Sequence, residues 1–482
     1  MQDSAKTPLV VDLDGTLTPT DTLVESVILL VKSAPLSALK IPFWLLKGRA
    51  GFKEAVANDS KFSPKNLPLN EPLVDYLREE KAKGRHIVLA TAAHRSIAED
   101  VAGQLGLFDE VLATGDGLNL KGENKLESIQ TRYGQDFVYA GDSLADIPIW
   151  ESSKAAVLVG VSRDIATRVR EMVPIEKEFA RAQPGLKTWL QALRPHQWLK
   201  NLLLFIPLLA VFHIFDYVAM LRLLWAFVAF SLAASASYLL NDLWDLENDR
   251  MHPQKKFRPF ASARLSILKG ISVVALFLAI AFAMAFALSL KFLMALVVYL
   301  ILTSAYSWIL KRYSLVDVLT LSLLYAIRII SGSLVIGIPT GTWLLAFSVF
   351  IFLSLALVKR CAELVQIMES GGQATHGRDY RVTDLSVLWS LGVGSALSAV
   401  VVFGLYIQSP DTLSRYATPE LLWFVAICLI YWLARLWIKT SRGEMHDDPV
   451  VYAIENRGSR ITVLAMVGLL AASHFVNIRN YL

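Results

Sequence analysis

After Leu199 the sequence carries nine apolar runs, each close to the roughly twenty residues that a helix needs to cross a bilayer. They are centred near residues 207, 231, 278, 300, 325, 350, 398, 428 and 468. The first run is the shortest, and Pro207 interrupts it. Together they predict an all-α polytopic membrane domain of about nine transmembrane helices over residues 199–482.

The residues before this region have a mixed composition. "PLVVDLDG", "HIVLATAA" and "FVYAGDS" are short β-rich runs that end in polar residues, and "SIAEDVAGQLGL" is typical of a helix. Their alternation predicts a Rossmann-like α/β domain over residues 1–165, with active groups at the carboxyl ends of parallel strands. A mainly helical stretch between the first two strands leaves room for a cap. A basic interfacial linker, residues 166–198, should follow.

Charge and cysteine usage indicate the compartment. The N-terminus lacks the basic and apolar regions of a signal peptide, so we expect the first domain to stay in the cytosol. With that orientation the inner loops carry 15 Lys and Arg residues and the outer segments 4, as expected for a bacterial-type inner membrane protein. Both cysteines lie in apolar stretches, which argues against a disulfide framework. The net charge of +5 suits headgroups or phosphorylated substrates better than nucleic acid.

Polar groups stand at the ends of the predicted strands in the first domain. In chain order they are Asp12, Asp14, Thr91, Lys125, Asp142 and Asp146. Phosphoryl transfer needs a nucleophile, a cation against the phosphate charge and hydrogen bonds to its oxygens. Asp12 could attack phosphorus, while Asp14 could protonate the leaving alcohol and later activate water. The carboxylates at 12 and 142 offer the oxygen ligands that Mg²⁺ prefers.

With these motifs in this order, residues 7–160 resemble the haloacid dehalogenase (HAD) superfamily of phosphatases. The resemblance implies Asp12 as nucleophile, Asp14 as acid and base, and one Mg²⁺ held by Asp12, Asp14 and Asp142. It also implies supporting roles for Thr91, Lys125 and the acidic residue Asp146. An inactive regulatory domain of the same fold is the alternative.

The membrane region has an acidic motif of its own, "NDLWDLENDR", at the end of a predicted span. On a continuous helix Asp242, Asp245 and Asp249 would fall within an arc of roughly 60°. Three carboxylates so close repel each other unless a cation lies among them, and Mg²⁺ carrying a diphosphate is the expected guest. The basic residues that follow, Arg250, Lys255, Lys256 and Arg258, could bind phosphate oxygens.

Together with "RPHQWLKN" and "AYSWILKRYSLVDV", this motif resembles the UbiA superfamily of intramembrane prenyltransferases, over about residues 190–480. The resemblance implies one or more Mg²⁺ ions at Asp242, Asp245 and Asp249, and a diphosphate bound near Asn241. Aromatic prenyltransferases carry paired aspartates in the second motif, but this chain has one, Asp317. That variant is similar to the decaprenyl-phosphate phosphoribosyltransferase branch. The predicted substrate-binding residues are Lys200, Asn241, Arg250, Lys255, Arg258, Tyr306, Lys311, Asp317, Arg328, Lys359 and Arg360.

The resemblance implies transfer of 5-phosphoribose from phosphoribosyl diphosphate to a polyprenyl phosphate. The first domain could then remove the 5-phosphate, giving a polyprenyl-phosphoryl ribose for cell-envelope glycans. Two alternatives stay open: an aromatic prenyltransferase with an independent phosphatase, and a polyprenyl-lipid carrier without turnover. The sequence is compatible with a homo-oligomer and predicts the bilayer as a partner.

Overall fold

The computed structural model of the chain describes residues 7–477 apart from 61, 116, 181–183, 214, 376, 446–448, 450–451 and 453–454. By spatial contact the chain divides into two compact units. The first unit is Met1–Leu193 with Tyr238–Val274, and the second is Arg194–Ser237 with Ala275–Leu482. The predicted boundaries at 165 and 198 follow chain order and stay a prediction.

The first unit contains a six-stranded sheet in the order β3-β2-β1-β4-β5-β6, and every neighbouring pair is parallel. Its strands are β1 (Leu9–Val11), β2 (Ile87–His94), β3 (Glu110–Thr114), β4 (Val138–Gly141), β5 (Ala155–Val159) and β6 (Ile175–Phe179). The predicted parallel sheet is therefore confirmed. Because β1 and β4 are neighbours, the residues that follow them meet at one edge of the sheet.

Both faces of the sheet are covered, as expected for parallel strands. Side chains alternate along β1, so Leu9 and Val11 join the core on one face while Val10 joins the core on the other. The second core also holds Trp150, whose indole N–H donates to the carbonyl of Tyr139 at 3.2 Å. A packed hydrophobic core on each face of the sheet thus holds the strands whose ends carry the polar residues.

Helices complete the first unit. They are α1 (Thr22–Ser33), α2 (Pro35–Ala38), α3 (Ile41–Leu45), α4 (Gly48–Ser60), α5 (Glu71–Ala82), α6 (Arg95–Leu105), α7 (Glu123–Tyr133), α8 (Ile147–Glu151), α9 (Arg163–Met172) and α10 (Leu186–Leu193). Helices α1 to α4 form the predicted helical cap between β1 and β2. Leu30, Trp44 and Val56 give the cap a small core of its own.

The remaining helices are mostly long and apolar. They are α11 (Ile206–Ala210), α12 (Tyr217–Trp244), α13 (Leu246–Met251), α14 (Ile267–Leu288), α15 (Leu290–Trp308), α16 (Val316–Ile336), α17 (Thr342–Glu369), α18 (Leu385–Ile407), α19 (Pro410–Arg415), α20 (Leu422–Ser441) and α21 (Arg457–Phe475). Helix α13 belongs to the first unit, and the boundary between the units falls within α12 and α14.

Eight helical stretches among the described residues are long and apolar enough to cross a membrane. They coincide with eight of the nine predicted spans. At the span predicted near residue 207, the chain forms a 3-10 segment, Pro195–Phe205, followed by the short helix α11. Pro207 lies at the start of α11, where its missing N–H costs no helical hydrogen bond.

The 3-10 segment packs closely on α16. A Cβ added to Gly332 would lie 2.0 Å from the carbonyl oxygen of Leu204, so only glycine allows this approach. The contact brings Asn201 beside Arg328, whose Nε donates to the Asn201 Oδ1 atom at 2.9 Å.

Candidate active sites

Four acidic residues at the carboxyl edge of the sheet form what we call the N-terminal site (Asp12, Asp14, Asp142 and Asp146). Asp12 follows β1, while Asp142 follows β4 and Asp146 lies one turn later. Each of these three offers an oxygen, and the three oxygens lie within 4.8 Å of one another. The first and third are buried, so their charges are poorly screened by water.

The backbone conformation at Gly15 lets the carboxylates of the N-terminal site lie close together. Gly15 has a φ of +82°, and a Cβ on it would lie 2.2 Å from Oδ2 of Asp142. A side chain at position 15 would therefore displace the Asp142 carboxylate. The other Asp142 oxygen, Oδ1, accepts a hydrogen bond from the Thr16 hydroxyl at 3.2 Å. The N–H of Leu13 donates to Asp12 Oδ1 at 2.8 Å and fixes that carboxylate.

One lysine faces the three carboxylates. Lys125, buried at the start of α7, places Nζ 2.8 Å from Asp12 Oδ2 and 4.0 Å from Asp146 Oδ1. It also donates to the Tyr139 hydroxyl at 3.0 Å, which in turn donates to Asp146 Oδ1 at 2.9 Å. Asp146 Oδ2 accepts from the Ser143 N–H at 3.0 Å. Asp146 is thus the most fully hydrogen-bonded of the three.

The N-terminal site holds more negative than positive charge. Burial, then the neighbouring charges of Asp146 and Asp12, raises the pKa of Asp142 to about 7. Burial and the charge of Asp21 raise the pKa of Asp14 to about 7. A divalent cation would relieve this excess, and hard carboxylate oxygens are the donors that Mg²⁺ takes. The residues present therefore fit a Mg²⁺ ion, which when bound would neutralise a phosphate oxygen beside Asp12.

A cavity of about 310 Å³ lies over these groups and is also lined by residues of the cap, among them Leu23 and Val56. Asp14 reaches it with Oδ1 accepting the N–H of Thr22, the first residue of α1, at 2.8 Å. Lys53 from α4 also lines the cavity, with Nζ donating to the Ala92 carbonyl at 2.6 Å. Sequence reasoning missed Lys53, because a cap lysine has no motif around it and only folding brings it to the sheet edge.

Thr91 lies in β2 and is buried. Its hydroxyl accepts a hydrogen bond from the Ala93 N–H at 3.0 Å, where the pairing of β2 with β3 shifts register between Thr91 and His94. Ala92 and Ala93, the residues directly after it, line the cavity together with Lys125. The structure thus brings the end of β2 to the same edge as the carboxylates.

The acidic motif of the membrane region (Asn241–Asp249) is also in the first compact unit. Helix α12 ends at Trp244, and Asp245 is the N-cap of α13, so the predicted continuous helix is interrupted there. Backbone hydrogen bonds nevertheless bridge the break, from Asp245 N to Asn241 O at 2.9 Å and from Asp249 N to Asp245 O at 2.8 Å. The motif keeps its helical spacing across the interruption.

Arg258 returns to this motif from the loop that follows it. One guanidinium nitrogen lies 3.1 Å from Asp242 Oδ1 and 2.7 Å from Asp249 Oδ2. Burial raises the pKa of Asp249 despite this partner. Among the described residues, the motif does not form a group of three carboxylates as tight as the N-terminal site. The cation between Asp242 and Asp249 is therefore the guanidinium of Arg258.

Arg250, predicted to bind substrate, lies in a buried ion pair. Its two terminal nitrogens contact the two oxygens of Glu25, each at 2.7 Å, in a bidentate arrangement. The exposed fractions of the two side chains are 7% and 3%. Its Nε donates to the Ala261 carbonyl at 3.2 Å. Glu25 belongs to α1, so this pair connects the cap to the acidic motif, and sequence reasoning did not find it.

In the second compact unit a buried polar cluster surrounds Asp317. Its Oδ2 lies 2.6 Å from a terminal nitrogen of Arg360, and its Oδ1 accepts from the Tyr306 hydroxyl at 3.0 Å. Arg360 also pairs with Glu363, which accepts from Arg378 at 2.9 Å. Three of the predicted substrate-binding residues, on α15, α16 and α17, are therefore in direct contact.

The other predicted residues of this unit lie apart from that cluster or at its edge. Arg328 is buried, with its guanidinium carbon 4.9 Å from the ring centroid of Tyr299. Lys200 has Nζ 5.8 Å from the ring centroid of Tyr325. Lys311 lies in the 3-10 turn Leu310–Arg312. Lys359 of α17 is exposed, as is Lys255 in the first unit.

Comparison with known proteins identifies similar sequences for both parts of the chain. The sequence model of the UbiA prenyltransferase family matches residues 202–456. The model of haloacid dehalogenase-like hydrolases matches residues 9–151. Both resemblances noted from the motifs are therefore confirmed.

Three relatives are similar over nearly all of the chain or over about three fifths of it. "Uncharacterized protein y4nM" of Sinorhizobium fredii is 38% identical over 474 residues, covering 98% of this chain and 91% of that protein. Nodulation protein NoeC of Azorhizobium caulinodans is 34% identical over 291 residues, covering 60% of this chain and 94% of that protein. Decaprenyl-phosphate phosphoribosyltransferase of Mycobacterium tuberculosis is 33% identical over 291 residues, covering 59% of this chain and 93% of that protein.

Proposed function

Because the chain belongs to the UbiA prenyltransferase family and carries a haloacid dehalogenase-like hydrolase domain, we propose that its two domains act in sequence on one lipid. The chain is a multi-pass membrane protein that joins a prenyltransferase-type domain to a phosphatase-type domain. The proposed first step transfers 5-phosphoribose from phosphoribosyl diphosphate to a polyprenyl phosphate. The proposed second step removes the 5-phosphate. The similarity to a decaprenyl-phosphate phosphoribosyltransferase over nearly all of that protein supports the first step.

In the transfer, an oxygen of the polyprenyl phosphate forms a bond with the anomeric carbon of the ribose. The bond from that carbon to the diphosphate breaks, and the diphosphate leaves with the electron pair. Mg²⁺ bound by Asp242, Asp245 and Asp249 would neutralise the departing charge. Arg258, which contacts two of these carboxylates, would offset part of their charge and bind a diphosphate oxygen.

In the hydrolysis, Asp12 attacks the phosphorus of the 5-phosphate and Asp14 donates a proton to the departing O5 of ribose. Asp14 then takes a proton from the water that cleaves the aspartyl phosphate, which regenerates Asp12 and releases phosphate. The raised pKa of Asp14 supports its use as a proton donor near neutral pH. Lys125, 2.8 Å from Asp12, restrains the nucleophile and balances charge on the transferred group.

The observation that carries this proposal is the composition of the first compact unit. The acidic motif and the N-terminal site belong to one unit although they are separated by about a hundred residues of chain. The buried pair between Glu25 and Arg250 links the cap of one site to the last turn of the other. This link supports the proposal that the two sites handle one substrate and its product.

The second polar motif supports a phosphoribosyl donor over an aromatic acceptor reaction. Its one aspartate, Asp317, is neutralised by Arg360 and hydrogen-bonded by Tyr306. A second metal ion would need carboxylates that are not committed in this way. We further propose that the protein lies in a bacterial inner membrane with the N-terminal domain on the cytosolic side, where phosphoribosyl diphosphate is available.

The test supplies the purified protein with phosphoribosyl diphosphate, Mg²⁺ and a polyprenyl phosphate, and identifies the lipids by mass spectrometry. Wild type should form polyprenyl-phosphoryl ribose, whereas Asp12→Asn should accumulate the 5-phosphorylated lipid. Asp242→Asn should form neither. If wild type and Asp12→Asn both form no ribosylated lipid, the proposal fails.

Radiolabelled prenyl diphosphate with a hydroxybenzoate serves as the opposing assay. Prenylation of the aromatic ring by wild type, lost in Asp242→Asn, would assign the membrane domain to the aromatic reaction. Binding of polyprenyl phosphate that is unchanged in Asp242→Asn, without any product, would indicate a carrier. Each result excludes the proposed sequence of reactions.

A further inference from the structure

The N-terminal site has a second opening. Asp14 and Asp142 line another cavity, of about 370 Å³, whose opposite wall is the segment Ala263–Lys269. This segment follows the acidic motif and contains the first residues of α14. The two cavities share Asp14, Asp21 and Asp142, so they are adjacent along these carboxylates.

Two cations line this second cavity, Arg264 and Lys269. The Arg264 guanidinium is held in place, with Nε donating to the Ser262 hydroxyl at 3.1 Å and a terminal nitrogen donating to Gln191 Oε1 at 3.3 Å. Within the described part of the chain, neither cation forms an ion pair with a carboxylate. This distinguishes them from Arg250, which comes shortly before them in sequence and is fully paired.

The wall that carries these cations continues into an apolar surface. Leu265, Ile267 and Leu268 line the cavity, and α14 then runs on as one of the helices apolar enough to cross a membrane. Along its first turns Leu268 is 55% exposed and Ile271 is 42% exposed. A ligand in this cavity therefore meets carboxylates on one side, cations on another, and a lipid-compatible helix beyond them.

Building on the proposed function, we propose that the second cavity binds the phosphodiester of a lipid-linked phosphomonoester. Arg264 and Lys269 bind the diester, the monoester reaches Asp12, and the prenyl chain follows α14. A phosphodiester keeps one negative charge at neutral pH, which two unneutralised cations can pair with. A soluble monophosphate such as ribose 5-phosphate lacks that second anion, so this cavity makes the phosphatase prefer the lipid product to it.

The test compares two substrates with the full-length protein in detergent. One is p-nitrophenyl phosphate, and the other is ribose 5-phosphate carrying a short prenyl phosphodiester on its anomeric oxygen. The double variant Arg264→Gln with Lys269→Gln should raise KM for the diester compound about tenfold or more and leave kcat unchanged. Both constants for p-nitrophenyl phosphate should stay at wild-type values.

The matched control is Arg163→Gln with Arg168→Gln, which removes two exposed cations of α9 that do not line either cavity. It should leave both substrates unaffected. Equal KM values for the diester compound in wild type and the double variant would overturn this inference alone. A wild type that hydrolyses p-nitrophenyl phosphate and never the diester compound would overturn the proposed function as well.

A second experiment distinguishes binding of the substrate's phosphodiester from binding of a membrane headgroup, which is also a phosphodiester. Both assays are repeated in vesicles that contain phosphatidylglycerol. The inference requires that the double variant raise KM for the diester compound, and not for p-nitrophenyl phosphate, both in detergent and in vesicles. A defect that affects both substrates equally, and only in vesicles, would mean that the two cations bind headgroups and would overturn it.

Discussion

At the N-terminal site three carboxylates lie within 4.8 Å of one another and face one lysine, whereas at the acidic motif two carboxylates share one guanidinium. The first arrangement leaves a formal excess of two negative charges. In the second, Arg258 lies where a cation would be expected. Both motifs look alike in sequence, as aspartates spaced for Mg²⁺. The structure distinguishes a site arranged for an ion from one whose acids are held by a side chain.

The difference suggests how each site is used. Asp12, Asp142 and Asp146 are fixed by a rigid sheet edge and should bind a divalent ion without substrate. Asp242 and Asp249 lie on either side of a helix break. We expect Arg258 to shift there if Mg²⁺ binds with a diphosphate. The number of carboxylates does not decide whether a site holds an ion on its own; the neighbouring countercharge does.

The largest expected effect separates the two sites. Asp12→Asn removes the nucleophile, so hydrolysis of p-nitrophenyl phosphate should fall by about 10³-fold or more. Formation of ribosylated lipid should continue, because the acidic motif is unchanged. Asp100→Asn, an exposed acid of α6, is the control and should keep both activities. Loss of both activities in Asp12→Asn would contradict the division of labour between the sites.

The next effect tests the role of the guanidinium. Arg258→Gln should lower ribosylated-lipid formation by about 10²-fold, because two buried carboxylates then lose their shared partner. Raising the Mg²⁺ concentration should recover part of the rate, since the ion supplies some of the missing charge. Arg168→Gln, an exposed cation of α9 outside both motifs, should behave as wild type. A loss that no concentration of Mg²⁺ changes would mean that Arg258 acts only on the fold or on substrate.

Ion binding itself provides a smaller and more direct comparison. In the absence of substrate, Mn²⁺ should occupy the N-terminal site, and Asp142→Asn should weaken that binding about tenfold or more. Asp242→Asn should not change it. Electron paramagnetic resonance of bound Mn²⁺ gives both dissociation constants. If Asp242→Asn instead removes the more tightly bound Mn²⁺, then the acidic motif binds the ion more tightly than the N-terminal site, contrary to the prediction.

Much of the fold could be predicted from local sequence. Strands that end in polar residues predicted the parallel sheet, because alternation with helices leaves few other topologies. Apolar length alone predicted nine spans, and eight of them coincide with long apolar helices among the described residues. The ninth, near Pro207, was not a long helix, since the 3-10 segment before it packs on α16 through Gly332, and this contact has no local signal.

The sites were less predictable where distant residues meet. The arc of Asp242, Asp245 and Asp249 assumed an unbroken helix, and the return of Arg258 could not be read from spacing. Lys53 reaches the sheet edge only because the cap folds over it. The pairing of Glu25 with Arg250 spans 225 residues and depends on tertiary structure.

The smallest expected effects concern this ion pair, which connects the cap of the N-terminal site to the acidic motif. Glu25→Gln and Arg250→Gln each leave the other charge buried, so each should destabilise α1 and α13, whereas the double variant removes both charges. The double-mutant cycle should give a coupling energy of about 1–3 kcal/mol, measured by hydrogen exchange of these two helices. Glu54→Gln, on the exposed face of α4, is the control.

The functional consequence should appear in the transfer of product between the sites. With Glu25→Gln, each site should keep its own activity, but the 5-phosphorylated lipid should accumulate about threefold. The reason is that a loosened cap, which contacts Asp14 through the N–H of Thr22, no longer holds Asp14 opposite the segment Ala263–Lys269. Time courses of both lipids give this ratio. If exchange increases in α1 and not in α13, and no intermediate accumulates, then the pair stabilises the cap alone, and the two sites work as independent enzymes on one chain.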